Sequence, residues 1–334
     1  MIVDVVIGEL DDGFTEELAN ELGALFFPVD VTKYLEGEIK PSIKAEEKDI
    51  RNRNVLVAFR DDRFSPDPNK YTMQNMFVLN TIRRARPKDV NLFIPYMYYA
   101  RQDKAFLPGE PASLRDIAKL YSDTLISNLF TINSHLYGKE EGKNLKEFLR
   151  PSLVKPNVYG FVEAHDIGSA RAFEYQLKAY NSVRNAPVIV GPDLGSIKMV
   201  KDLAACFDSE YMCFGQKRDL KTGEKRIEHK PLNISDIEGR DVVIYDDVTV
   251  SGGTLRRAYN VVKEHEPERV FIAVAHLIGW DAVKALIDLD ADALITTDSF
   301  KTPYGPPESE YFQNYFQEAP IIYLLPDYIE KLAA

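Results

Sequence analysis

A chain of 334 residues that is 45% hydrophobic and 28% charged carries enough apolar material for two domains of ordinary size. Its net charge of −11 argues against a non-specific hold on nucleic acid or an anionic membrane, and any polyphosphate substrate would have to be met by local cations and metal ions. No apolar run reaches the roughly 18 residues of a membrane span, and Cys206 and Cys213 lack zinc or redox spacing, so a reducing cytoplasm is expected. In chain order the residues read as strand 4–8, helix 15–22, strand 55–60, helix 73–84, strand 90–95, helix 113–122, strands 125–132 and 158–162, helix 169–178, strand 187–190, helix 197–207, strands 210–214 and 241–245, helix 254–264, strand 270–274, helix 281–288 and strand 293–297. Several strands are almost wholly apolar, as in a sheet covered on both faces, and the alternation predicts a doubly wound α/β fold. A polar stretch at 138–146 sets a boundary near residue 150, giving domains 1–150 and 151–334, with 321–332 able to return to either one.

Residues 241–256 concentrate the chemistry. An apolar strand ends in Asp246-Asp247, and Ser251-Gly252-Gly253-Thr254 then leads into a helix. Glycines let backbone amides converge on an anion, the helix N-terminus adds positive potential, and the two hydroxyls add donors. Carboxylates repel phosphate, so the acidic pair suits a sugar diol or a metal ion instead. The plainer alternative is a capped strand-to-helix turn. The order of these residues resembles the ribose-phosphate-binding loop of the phosphoribosyltransferase superfamily.

Farther upstream, Phe93 to Lys104 carries a strand into an aromatic cluster and then Arg101-Gln102-Asp103-Lys104. Arg101 and Lys104 suit phosphate oxygens, Gln102 suits a base edge and Asp103 can orient a basic neighbour, although a solvated charged turn would look alike. Taken with Gly191-Pro192-Asp193-Leu194-Gly195 and the downstream acidic loop, the segment Pro95-Tyr96 through Tyr99-Ala100-Arg101-Gln102-Asp103-Lys104 resembles the ribose-phosphate pyrophosphokinase family over most of the chain.

The resemblance implies two similar, mainly parallel-sheet lobes of phosphoribosyltransferase type. It implies transfer of the β,γ-diphosphoryl group of ATP to the C1 hydroxyl of ribose 5-phosphate, with Mg2+ as cofactor, in a homo-oligomer of even number. By position it assigns Tyr34, Glu36, Glu38, Arg101, Gln102, Asp103, Lys104 and His135 to ATP, and His135 and Asp193 to the metal. Lys217 and Arg218, in a basic loop at 216–224, would be catalytic, and Asp246, Asp247, Ser251, Gly252, Gly253 and Thr254 would hold ribose 5-phosphate. Val250, Asn133, Ser196 and Asp219 depart from the common family pattern. They keep open a substrate-shifted or non-catalytic regulatory homologue, and a phosphoribosyltransferase is the other enzyme reading. Asp193 also suits a cap for the helix at 197–207, and Asp166, beside His165, suits a cap for the helix at 169–178.

Overall fold

The computed structural model describes residues 2–10, 13–105, 107–138, 145–146, 162–181, 183, 186–218, 225–228, 237–302 and 315–333. The chain forms two compact units. Unit 1 comprises Met1–Asp62, Pro66–Ile167 and Ile322–Ala334, and unit 2 comprises Arg63–Ser65 and Gly168–Ile321. The main crossing at Ile167–Gly168 lies beyond the boundary near residue 150 that the polar stretch suggested.

Unit 1 runs β1 (Val5–Glu9), α1 (Phe14–Glu21), β2 (Leu25–Lys33), β3 (Ile39–Ile43), α2 (Glu47–Ile50), β4 (Asn54–Ala58), α3 (Pro68–Arg84), β5 (Asp89–Phe93), α4 (Ser113–Asp123), β6 (Asn128–Ile132) and β7 (Glu163–Ile167). Unit 2 runs α5 (Ala170–Ala179), β8 (Val188–Gly191), α6 (Ile197–Phe207), β9 (Tyr211–Cys213), β10 (Gly215–Arg218), β11 (Lys225–Glu228), β12 (Asp241–Thr249), α7 (Gly253–Lys263), β13 (Arg269–Leu277), α8 (Trp280–Ile287), β14 (Ala293–Thr297) and β15 (Phe316–Ala319). A last helix, α9 (Leu324–Ala333), belongs to unit 1.

The two sheets repeat one topology. Unit 1 orders its strands β3-β2-β1-β4-β5-β6-β7, and unit 2 orders its main sheet β15-β14-β13-β12-β8-β9. With β3 and the β10–β11 hairpin set aside, each sheet places its second strand at one edge, then its first, third, fourth, fifth and sixth. All of those pairings are parallel. The order reverses between the first and third strands, and ligands of open α/β sheets gather beyond the carboxyl ends at such a point.

The cores explain the apolar runs. Val5, Ile7, Val55, Val57, Leu92 and Leu129 are fully buried in unit 1, as are Val190, Val242, Ile244, Ile272, Val274 and Leu294 in unit 2. Strands covered on both faces lose the alternating pattern and read as continuous apolar runs.

Several sequence expectations change. The strand expected at 158–162 falls mostly outside the described residues, and the sixth strand of unit 1 is β7. Asp166 is therefore a strand residue and caps no helix. Its carboxylate accepts from Ser134 N at 2.9 Å and Ser134 Oγ at 2.6 Å. His165 stacks on Phe130 with ring centroids 4.7 Å apart and meets Tyr328 of α9 edge-on. Burial lowers its pKa to about 4, so the ring is neutral near pH 7. Strand β2, the edge strands β3 and β15, and helix α9 were not among the predicted elements.

Candidate active site

The switch point of unit 2 lies between β8 and β12, and it gathers the residues that the sequence resemblance assigns to ribose 5-phosphate. β12 runs four residues past the apolar stretch, to Thr249, because it stays paired with β13 out to Leu277. Asp246 and Asp247 thus sit within the strand. Asp246 is buried, and Asp247 is half-buried. Asp246 accepts from Asp247 N at 3.0 Å, and Asp247 accepts from Val248 N at 2.7 Å. Burial, and then the neighbouring Asp247 and Asp193 carboxylates, hold the Asp246 carboxyl well above the usual carboxylate range. An unbalanced acidic cluster of this kind is relieved by a cation or by hydroxyl donors.

Beyond Thr249 the chain turns through exposed Val250 and Ser251 to Gly252, whose φ of 70° is left-handed. A Cβ on Gly252 would lie 2.9 Å from Ala285 Cβ and 3.2 Å from Leu286 Cγ, so only glycine lets the turn rest on α8. Gly252 N donates to Thr249 Oγ1 at 3.0 Å, and α7 begins at the next residue. The first-turn amides of α7 have no partner within the helix, a geometry that suits an anion. Thr254 Oγ1 accepts from Arg257 Nη2 at 3.2 Å. Arg257 is a cation beside the loop that the sequence reading did not single out.

Asp193 follows β8 at the same switch point. It caps the short turn Leu194–Ser196 by accepting from Gly195 N at 2.7 Å, and does not cap α6 directly. Ser196 stands close over Gly191, where an added Cβ would come within 2.4 Å of Ser196 Oγ and 2.5 Å of Cys213 Sγ. Ser196 Oγ donates to Asp193 O at 2.8 Å, so the serine secures the turn that presents Asp193.

Unit 1 presents its predicted residues at the carboxyl edge of its own parallel strands. Tyr34 to Glu38 form the hairpin turn after β2, closed by Tyr34 N to Glu38 O at 2.8 Å, and Tyr34, Glu36 and Glu38 are exposed. Arg101 to Lys104 follow β5. Arg101 and Lys104 are exposed, while Gln102 and Asp103 are half-buried. Ser113 Oγ donates to Gln102 Oε1 at 2.7 Å, and Gln102 O accepts from Leu114 N at 3.2 Å, fixing that residue to the start of α4. The aromatic cluster before the patch is pinned as well. Tyr98 Oη donates to Asp61 Oδ2 at 2.6 Å, Tyr99 Oη donates to Asn69 Oδ1 at 2.7 Å, and Tyr96 and Tyr98 meet edge-to-face at 4.9 Å. His135 is exposed in the turn after β6 that Asp166 braces through Ser134.

The switch point of unit 1 is furnished differently. Arg60, just after β4, lies over the Phe14 ring at 4.1 Å, and the Asp61-Asp62 pair that follows it has Asp61 engaged by the Tyr98 hydroxyl. Lys217 and Arg218 were expected in a loop at 216–224. Their backbone forms strand β10, paired with β11 through Lys217↔Arg226 and Arg218↔Lys225. Their side chains, and residues 219–224, lie outside the described residues. Among the described residues no three His, Cys, Asp or Glu side chains converge as a metal cage, and no helix is long and apolar enough to cross a membrane.

A parallel sheet with an acidic strand end and a glycine turn at its switch point, repeated as a fold in a second unit, defines an α/β protein of phosphoribosyltransferase type. Residues 3–124 match the N-terminal domain of ribose phosphate pyrophosphokinase, and residues 167–302 match the phosphoribosyl transferase domain. The chain belongs to the ribose-phosphate pyrophosphokinase family. It is 28% identical over 303 residues to a ribose-phosphate pyrophosphokinase of Methanopyrus kandleri, covering 89% of this chain and 94% of that one. The counterpart from Aquifex aeolicus is 25% identical over 302 residues, covering 89% of this chain and 87% of its own. The fold matches the crystal structure of phosphoribosylpyrophosphate synthetase from Mycobacterium smegmatis with a TM-score of 0.74 at 19% identity, covering 99% of each chain.

Proposed function

We propose that the protein transfers the diphosphoryl group of ATP to the C1 hydroxyl of ribose 5-phosphate, giving phosphoribosyl pyrophosphate and AMP. The observation that carries this reading is the juxtaposition, within unit 2, of Asp246 and Asp247 with the left-handed turn at Gly252 and the start of α7. The 5-phosphate would rest on the amides of Gly253 and Thr254 and the hydroxyls of Ser251 and Thr254, with Gly252 shaping the turn that presents them. The ring hydroxyls would donate to Asp246 and Asp247. In unit 1, Arg101 and Lys104 would hold ATP phosphates, with Gln102, Asp103, Tyr34, Glu36, Glu38 and His135 around the nucleotide. The C1 oxygen forms a bond to the β-phosphorus as the bond from that phosphorus to the α-phosphate oxygen breaks. AMP leaves with the electron pair, and the hydroxyl proton is lost to solvent. Lys217, Arg218 and Arg101 would stabilise charge on the transferring group.

The hard oxygen donors Asp193, Asp246 and Asp247 suit Mg2+, and His135 would be a further contact. Mg2+ supplies charge neutralisation on the phosphate oxygens when bound. The catalyst is read as a cytoplasmic homo-oligomer of even number, and a monomeric mass by light scattering at micromolar concentration would refute that.

One observation favours a second reading. Val250 is 47% exposed in the turn, where an acidic or hydroxyl side chain would offer an acceptor beside the sugar. A shifted acceptor or a binding-only regulator would follow. Incubation with ATP, Mg2+ and ribose 5-phosphate separates the readings. AMP together with phosphoribosyl pyrophosphate supports the proposal, binding without turnover supports the regulator, and consumption of phosphoribosyl pyrophosphate with a base identifies a phosphoribosyltransferase.

A further inference from the structure

We infer that Arg63, with Phe64 beside it, is a positioning residue for the Ser251–Thr254 turn, acting through the end of β13 and the start of α8. The inference rests on the reading of that turn as the ribose 5-phosphate site. Arg63–Ser65 is a three-residue strap that belongs to unit 2 although its flanking residues belong to unit 1. Arg63 is fully buried, which is costly for a cation unless every donor is matched. All five guanidinium N–H groups have acceptors. Nε donates to Thr302 Oγ1 at 3.2 Å, Nη1 to Leu277 O at 2.8 Å and Thr296 Oγ1 at 3.4 Å, and Nη2 to Thr297 O and Glu318 Oε1, both at 2.8 Å.

Four of the five acceptors stand at the carboxyl ends of β13 and β14 and on β15, and Thr302 follows β14, so one planar group ties three strands together. The backbone joins in, with Arg63 N donating to Lys301 O at 2.9 Å and Arg63 O accepting from Gly279 N at 2.8 Å. Phe64 stacks on Trp280, the first residue of α8, with centroids 4.0 Å apart and planes 10° apart.

From these anchors the supports of the turn follow by direct contacts. Ile278 N donates to Thr249 O at 3.0 Å, Thr249 Oγ1 accepts from Gly252 N at 3.0 Å, and Gly252 lies against Ala285 and Leu286 of α8. The strap thus grips both pieces on which Gly252 rests, the Leu277–Gly279 segment and α8. An apolar side chain could fill the same volume; a five-donor fork also sets the register of the strand ends.

The test is steady-state kinetics of Arg63→Met and Phe64→Ala with both substrates varied, well below the thermal midpoint of each variant. The expected result is a KM for ribose 5-phosphate raised about tenfold in R63M and about threefold in F64A, with KM for ATP within about twofold of wild type. An unchanged KM for ribose 5-phosphate, or equal rises in both KM values, overturns the inference. Should R63M fail to fold, F64A decides it, since its ring is only half-buried and its loss leaves the Arg63 contacts in place. A wild-type protein that neither turns over nor binds ribose 5-phosphate refutes the underlying functional reading, whereas an active wild type with indifferent variants refutes the strap alone.

Discussion

Replacing Gly252 with alanine should destabilise unit 2 far more than the same change one residue later. Gly252 has φ 70°, and forcing an L-residue into that region costs about 1–2 kcal/mol. The new methyl would also sit 2.9 Å from Ala285 Cβ, 3.2 Å from Leu286 Cγ and 3.4 Å from Ala282 O, an overpacking penalty of about 1–3 kcal/mol. The sum is about 2–5 kcal/mol, which for a unit of this size lowers the thermal midpoint by about 5–15 °C. At Gly253 an added Cβ meets only Arg257 Nη1 at 3.6 Å and Ser251 Oγ at 3.7 Å, ordinary contacts at the first residue of α7. Gly253→Ala should therefore be neutral or stabilising by up to about 1 kcal/mol. Trp280, the one tryptophan of the chain, lies in unit 2 on the same helix that Gly252 touches, so thermal melts followed by its fluorescence report the relevant unit. Equal midpoints for the two variants would refute the argument that backbone strain and the approach to α8 require glycine at residue 252.

Asp246→Asn should stabilise the ligand-free protein near neutral pH while weakening ribose 5-phosphate binding. The folded carboxyl titrates above its unfolded value of about 4, so the native state holds a proton that the unfolded state releases, and stability falls as pH rises through that window. Midpoints measured from pH 4 upward should show this slope in the wild type and a shallower one in D246N. Tyr98→Phe removes the donor to the mostly buried Asp61 carboxylate and should cost about 1–3 kcal/mol in urea unfolding of unit 1. Arg101→Ala should raise KM for ATP about 10- to 100-fold through loss of a charge-assisted contact to phosphate, and initial-rate kinetics should show KM for ribose 5-phosphate nearly unchanged.

The parts of the fold that were legible are those whose burial is two-sided. The middles of β12, Val242–Tyr245, and of β13, Val270–Ala275, are unbroken apolar runs because both faces are covered, and their positions could be read from composition alone. β2 was missed because it is an exposed strand interrupted by Pro28 and Asp30, with only Val29 fully buried. β15 has four residues, too few for a period to register. Groupings of sequence neighbours were legible as groupings: Asp246-Asp247 near the end of β12 and Ser251-Gly252-Gly253-Thr254 at the start of α7 meet at one switch point.

Residues that work through distant partners left no such trace. Arg63 reads as one more charge in a polar stretch, yet its partners lie 214 to 255 residues away. Asp166 reads as a helix cap, and only the pairing of β6 with β7 brings it to Ser134. Arg257 falls one turn into α7, where a basic residue signals nothing unless the turn before it is known to bind phosphate.

The claim on which the account rests is that the phosphate turn and acidic pair of unit 2 present a sugar hydroxyl to the β-phosphorus of ATP. Phosphorus NMR of the running reaction tests it most directly. The account predicts one AMP for each phosphoribosyl pyrophosphate, with the β and γ phosphorus atoms still joined in the product. Appearance of ADP with a monophosphorylated sugar, or of ADP and inorganic phosphate alone, would contradict it.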